Sequence, residues 1–329
     1  MADYTDILGQ ENIIRYMKEA AKTGKLSHAY LLAGPDKSGK MMLANAFAKA
    51  LQCREGDGVP CDHCRSCLQA DNHTHPDIIY VTHEKSSGIR VDDIRKQVIS
   101  KAPETPYAGP YKIFIIDEAE KMNDNAQNAL LKTMEEPPSF VVILLLAENE
   151  ESLLLTIRSR VMTLRLQPVS FSQIRDFLVK KNGVSEETAA LAAVFSDGAV
   201  GQALSLAKSE DFQDLRETAL RLVEEIRDWD TNDIIKAVKG FVDYKPVISE
   251  YFDLLTVWYR DVLMYKALQD PDRLIFRDKA LRIVQQAKES SYHGIQVILK
   301  EIETTKRRIK ANVNFELAME TLLMTIKEN

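Results

Sequence analysis

The first half of the chain alternates short apolar runs with stretches of helical periodicity. His28 to Ala33, Asp77 to Val81, Tyr111 to Ile116, Val141 to Ala147 and Val161 to Leu166 each read as a buried strand, because a short unbroken apolar run suits a strand covered on both faces. Between them, Ile13 to Lys22, Lys40 to Gln52, Val91 to Lys101 and Asn123 to Glu135 space their apolar residues as helices do. Leu43, Ala46, Phe47 and Ala50 share one face of the second, and Ala126, Leu130, Thr133 and Met134 lie close together on the fourth. Gly24 is suited to ending the first helix, and Pro137-Pro138 stops the fourth. Strands and helices in alternation predict an α/β domain with a parallel sheet and helices on both faces.

After Pro168 the pattern becomes helical throughout. Phe171 to Lys181, Ser185 to Phe195 and Gln202 to Ala207 read as short helices, broken at Asp197-Gly198. Longer ones follow: Leu215 to Ile226, Asn232 to Phe241, Val247 to Tyr265, Asp278 to Glu289, Ser291 to Ala311 and Phe315 to Ile326. Asn314 is placed to cap the last, whose Leu317, Met319, Leu322, Leu323 and Ile326 form an apolar group. Three domains are expected: an α/β domain over 1–166, a small helical lid over 167–208 and an all-α domain over 209–329. The chain of 329 residues, 45% hydrophobic and 28% charged, is large enough for sizeable cores. A net charge of −6 argues against a general nucleic-acid-coating role and leaves local basic patches open. The amino terminus shows neither a basic nor an apolar leader, and no apolar run approaches the roughly 20 residues that span a bilayer. A cytoplasmic protein with no membrane partner is expected.

Candidate chemistry begins after the first strand. Gly34-Pro35-Asp36-Lys37-Ser38-Gly39-Lys40-Met41 has the form of a phosphate-binding loop in the required strand–loop–helix context. Its last position departs from the motif: Met41 carries a thioether where Mg²⁺ needs a hydroxyl oxygen. Asp117 and Glu118 end the third apolar run, where phosphate-loop ATPases place a metal-holding Asp and a water-orienting acid; a solvated strand end is the plainer alternative. The four cysteines, Cys53, Cys61, Cys64 and Cys67, fall in one short insert. Four thiolates at this spacing suit one closed structural zinc site, with Gly56 and Gly58 letting the chain fold back before Cys61. His63, His73 and His75 read as surface residues beside a complete cysteine set. Arg158 and Arg160 precede the fifth strand and would, by themselves, read as surface ion-pairing residues.

Together these motifs resemble the AAA+ clamp-loader subunits of bacterial DNA polymerase III. The resemblance rests on Leu8-Gly9-Gln10, Leu26 to Leu31, the cysteine insert, His75-Pro76-Asp77, Lys112 to Ala119, Asn128 to Pro138 and Thr156 to Arg160. It is dense over residues 1–207 and weaker beyond, where Ala311 to Asn314 and the last helix still match. It implies that Arg160, in Ser159-Arg160-Val161 where the family has Ser-Arg-Cys, acts in trans as an arginine finger on ATP held by an adjacent subunit. It places the sensor residue at Asn149 or Glu148. Gly201 stands where the motor subunits carry a nucleotide-contacting Arg. With Met41 and Gly201 both departing, the resemblance implies a stator-like subunit lacking ATPase activity of its own, whose Lys40 either binds nucleotide weakly or is a structural remnant. Its 209–329 domain would pack in a collar. The implied partners are the tau/gamma motor subunits, the delta subunit, the sliding β clamp and primed DNA within the polymerase holoenzyme. The rival readings are an active motor ATPase and a zinc-dependent nucleic-acid-binding module.

Overall fold

The computed structural model describes residues 3–82 and 88–329; Met1 and Ala2, part of the stretch read above for a leader, lie outside them. Five strands are described: β1 (Ala29–Ala33), β2 (Ile78–Val81), β3 (Lys112–Ile116), β4 (Val141–Ala147) and β5 (Met162–Arg165). They form one parallel sheet in the order β2-β3-β4-β1-β5. Every residue of β1, β3 and β4 is buried, as a sheet covered on both sides requires; the one charged residue among them, Lys112, donates to Lys101 O and pairs with Glu104. The pleat sends alternate side chains to opposite faces. Tyr30, Leu32, Ile113, Ile115 and Leu144 pack on one side with Leu43 and Phe47. Leu31, Phe114, Ile116, Ile143 and Leu145 pack on the other with Ile94, Val98, Ala126 and Leu130.

The flanking helices are α1 (Glu11–Thr23), α2 (Lys40–Gln52), α3 (Arg65–Asp71), α4 (Val91–Ile94), α5 (Asp124–Glu135) and α6 (Leu155–Arg158). Asn123 caps α5 by accepting from Ala126 N at 2.9 Å. Three details differ from the periodicity. Helix α3 lies inside the cysteine insert, where seven residues are too few to show a repeat. The helix expected over Val91 to Lys101 passes from α4 into a π turn, Arg95–Ile99, with Ser100 N bonded to Arg95 O at 2.9 Å. Strand β3 ends at Ile116, so Asp117 and Glu118 lie in the following turn, with Glu118 at φ 50°.

The chain forms two compact units, one of residues 1–174 and 196–204, the other of 175–195 and 205–329. The helices after the sheet are α7 (Phe171–Asn182), α8 (Glu186–Phe195), α9 (Val200–Lys208), α10 (Glu210–Glu225), α11 (Thr231–Gly240), α12 (Ile248–Leu268), α13 (Ala280–Glu289), α14 (Tyr292–Lys310) and α15 (Phe315–Glu328). The second unit has its own core, which includes Leu215, Phe252, Trp258, Ile298 and Leu322. Helix α10 starts at Glu210, before the expected Leu215; Phe212, buried three residues ahead of Leu215, extends the apolar face into the first turn. Ser209 accepts from Phe212 N at 3.2 Å and caps it. Asn314 caps α15 as the sequence suggests, accepting from Leu317 N at 3.0 Å. No helix among the described residues is long and apolar enough to cross a membrane.

Candidate phosphate loop, metal site and arginine

Parallel strands place their carboxyl ends at one edge, and β1, β4 and β3 are neighbours there. Gly34 follows β1, Glu148 and Asn149 follow β4, and Asp117 and Glu118 follow β3. The sheet therefore brings the predicted loop and acids to one rim. The loop itself is turned inward. Gly34 N donates to Ala147 O at 3.1 Å, and Gly39 leads into α2 with φ 101°. The Lys40 ammonium donates to Gly34 O and Pro35 O, both at 2.7 Å, and the residue is only 9% exposed. Met41 is partly buried against the core that contains Leu43 and Phe47.

Gly201, read from the resemblance as standing where motor subunits carry an Arg, lies against the loop backbone. Gly201 N donates to Lys37 O at 2.9 Å. A Cβ added to Gly201 would lie 2.7 Å from that oxygen and 3.1 Å from Lys37 Cβ, so no larger residue fits without moving the loop. Lys37 Nζ reaches Gln202 Oε1 at 3.1 Å, a second tie between the loop and the start of α9. The acids have local duties. Lys121 pairs with Glu118 at 2.6 Å, and Asp117 Oδ1 accepts from Glu118 N at 3.0 Å. Asn149 Oδ1 accepts from Glu151 N at 2.8 Å. The loop Lys lies on its own carbonyls, and Met41 offers a thioether where Mg²⁺ would take a hydroxyl oxygen.

Arg160 lies at the other end of the sheet. It precedes β5, which runs parallel to β1 with Tyr30 opposite Met162 and Ala33 opposite Arg165. Met162 to Arg165 spans three rises of ~3.3 Å each, and Arg160 and the loop lie beyond opposite ends of that span, so Arg160 stands roughly 10 Å or more from its own loop. Its side chain is 37% exposed and pairs with Glu135 at 2.7 Å, while Nη1 donates to Thr156 O at 3.0 Å. Leu155, one turn earlier, is 73% exposed.

The cysteines converge. The four sulfurs lie within 4.8 Å of one another, and Cys61 and Cys67 are 3.9 Å apart. A tetrahedron with Zn–S bonds of about 2.3 Å has edges of about 3.8 Å, so the set fits zinc. Backbone N–H groups aim at the sulfurs: Gly56 and Cys61 donate to Cys53, Cys64 to Cys61, and Cys67 to Cys64, at 3.2 to 3.4 Å. Such donors favour thiolates. Burial works to raise the Cys64 thiol, yet donation from Cys67, Arg54 and the neighbouring thiols brings it down to about 6; burial pushes Cys61 and Cys67 up. The fold-back before Cys61 depends on Gly56, where a Cβ would sit 1.7 Å from Val59 O.

Of the three histidines read as surface residues, His63 and His73 are exposed, but His75 is buried, its Nδ1 accepting from Asp77 N at 3.2 Å. Supporting residues were less visible in the sequence. Lys49, 1% exposed in its side chain, lies 2.5 Å from Asp62 and 2.7 Å from Asp71, tying α2 to both flanks of Cys64 and Cys67. Burial opposes its charge, but the two carboxylates outweigh burial and hold the ammonium above its ordinary value. Asp77, 1% exposed, accepts from the backbone of Tyr107, Ala108 and Gly109 at 2.6 to 3.0 Å. That explains an acid in the otherwise apolar run entering β2.

Comparison with known proteins finds related sequences over both halves of the chain. A family model described as DNA polymerase III, delta subunit, matches residues 9–170, and one described as its C-terminal part matches 210–328. The delta' subunit of DNA polymerase III from Bacillus subtilis is 29% identical over 97% of this chain and 96% of its own length. The tau subunit from the same organism is 27% identical over 98% of this chain, which spans only 62% of tau. Among solved structures, a DNA polymerase III gamma subunit-related protein from Thermotoga maritima aligns over 97% of this chain and 99% of its own, at 20% identity and TM-score 0.45. With matching sequence at both ends and over nearly the full length of a delta' relative, the chain belongs to the delta' family of DNA polymerase III subunits.

Proposed function

We propose that this chain is a stator-like clamp-loader subunit that does not hydrolyse ATP and lends Arg160 to the ATP site of a neighbouring motor subunit. The observation that carries the reading is the separation of the two candidate centres. Lys40 lies on the loop's own carbonyls, Met41 packs on the core and Gly201 abuts Lys37, whereas Arg160, its side chain 37% exposed, stands at the opposite sheet edge. An arginine so placed has no nucleotide of its own to act on. Across a subunit boundary it would replace Glu135 with a γ-phosphate and stabilise the charge that develops there. Motor subunits of the tau/gamma kind and a delta subunit are the partners this reading requires. The sliding β clamp and primed DNA are engaged by the assembly, in the cytoplasm. Residues 209–329 supply the collar contact, 167–208 the lid and 1–166 the α/β wall. One zinc ion held by Cys53, Cys61, Cys64 and Cys67 cross-links the insert and takes no part in hydrolysis. Its donor set is complete, leaving no open position for substrate.

Reconstitution with motor and delta subunits tests the roles. Arg160→Ala is expected to lower DNA- and clamp-stimulated ATPase sharply, while Lys40→Ala leaves it within about twofold, because a finger residue is worth orders of magnitude and a remnant is not. The reverse pattern, or ATP hydrolysis by the isolated chain that Lys40→Ala abolishes, would assign the chain to the motors instead.

A further inference from the structure

We propose that Glu55, Cys61 and His63 form an exposed landing site through which a divalent metal ion reaches the four-cysteine site. The inference rests on the zinc reading and concerns how the ion gets in and out. The three residues offer one carboxylate oxygen, one sulfur and one imidazole nitrogen, all within 4.8 Å of one another. Glu55 and His63 side chains are 55% and 72% exposed, and His63 Nδ1 lies 3.3 Å from Glu55 Oε2. Cys61 belongs to both sets: its sulfur is 3.8 Å from His63 Nδ1 and 3.9 Å from Cys67 Sγ. Cys64 and Cys67 are buried. The Cys61 sulfur therefore stands between donors that meet solvent and donors that do not.

The two donor sets have different chemistry. Four thiolates close a tetrahedron and leave no position for an incoming or departing ligand. Three mixed donors keep a fourth position for water, the arrangement in which ligands exchange. A hydrated ion meets Glu55 and His63 first, gains Cys61 and loses water. It then keeps Cys61 while Cys53, Cys64 and Cys67 replace the carboxylate and the imidazole. The thiol protons go to solvent, and no electrons move. Release retraces the same exchanges. A stability role does not account for the pair, since an exposed ion pair contributes only about 0–1 kcal/mol.

The test uses the full-length chain, stripped of metal under reducing conditions and mixed with Zn²⁺ at fixed pH. The double variant Glu55→Gln, His63→Ala is expected to bind one ion, as the unaltered chain does, and to melt at the same temperature when loaded. Its uptake of Zn²⁺, and its surrender of Zn²⁺ to a chromophoric chelator, are expected to be about tenfold slower, because loss of supporting metal contacts weakens a site by ten-fold or more and flux through a weak intermediate falls in proportion. Co²⁺ provides a second readout: an early, weakly thiolate-like absorption should precede the four-thiolate spectrum in the unaltered chain and vanish in the variant. Equal rates in both chains overturn the proposal. So does a variant with less than one ion, which would make the outer donors part of the resident site, or two ions in the unaltered chain. An unaltered chain that binds no metal removes the zinc reading itself, a distinct failure seen before any rate is compared.

Discussion

Replacing Lys49 with Met removes one charge from the interior and tests what holds the cysteine insert to α2. Lys49 is 1% exposed, and its ammonium sits between Asp62 at 2.5 Å and Asp71 at 2.7 Å. Methionine fills a similar volume, so the change is chiefly electrostatic. Deleting one partner of a buried ion pair leaves an uncompensated charge and costs about 3–5 kcal/mol. Here the two carboxylates differ in access to water, with Asp71 11% and Asp62 34% exposed in their side chains. Asp62 can turn outward and regain hydration, which puts the expected loss at the lower end, about 3 kcal/mol. Asp71 cannot do so as easily. Adding Asp71→Asn to Lys49→Met should therefore recover part of the loss, because neutralising the remaining partner removes the stranded charge. Urea unfolding by far-ultraviolet circular dichroism measures both, with zinc retained against a chelator as the local readout. A loss under about 0.5 kcal/mol for Lys49→Met, or no recovery in the double variant, would refute the idea that this triad anchors the insert.

Burial holds the Asp261 carboxyl up at about 6, against its ordinary 3.8, even though Phe276 N and Ile275 N donate to it at 2.8 Å. A folded-state value above the unfolded one means that this contribution is fully present below pH about 4 and is lost as the pH rises through about 6. Asp261→Asn, whose amide oxygen can still accept both N–H bonds, should flatten that part of the pH profile and leave the variant at least as stable at pH 8 in urea titrations. Gly201→Ala should cost about 1–3 kcal/mol by overpacking, read as a lower melting temperature, because its Cβ meets the Lys37 backbone at 2.7 Å. Asp77→Ala strands three backbone N–H groups on Tyr107, Ala108 and Gly109. It should cost about 3 kcal/mol or more, since bonds to a charged acceptor contribute about 1.5–3 each, and should open the 103–110 loop to limited proteolysis.

The strands and most helices were legible because their cause is local. A run such as Val141 to Ala147 is apolar at every position, and only a sheet buried on both faces calls for that. Helix stops and caps such as Asn314 depend on one side chain meeting a backbone group three residues away, so sequence spacing suffices. Where the cause was not apolar periodicity, the reading stopped short. The seven-residue α3 and the π turn at Arg95–Ile99 carry no pattern that a helical repeat would reveal.

The candidate site divides along the same line. Sequence alone showed that the loop has Met41 for a hydroxyl residue, and that four cysteines at this spacing can share one ion. Those are statements about residue type and short spacing. Tertiary structure decided where each group lies. The Lys40 ammonium is turned onto Gly34 O and Pro35 O. Gly201, far from Lys37 in the chain, lies against it with no room for a side chain. A buried Lys49 holds Asp62 and Asp71. The parallel pairing of β1 with β5 puts Arg160 and the loop at opposite edges of the sheet. Each depends on contacts between segments distant in sequence, whose pairing arises only when the whole core packs. For that reason the residues announced a phosphate loop and an arginine, and the fold determined that the two do not meet within one chain.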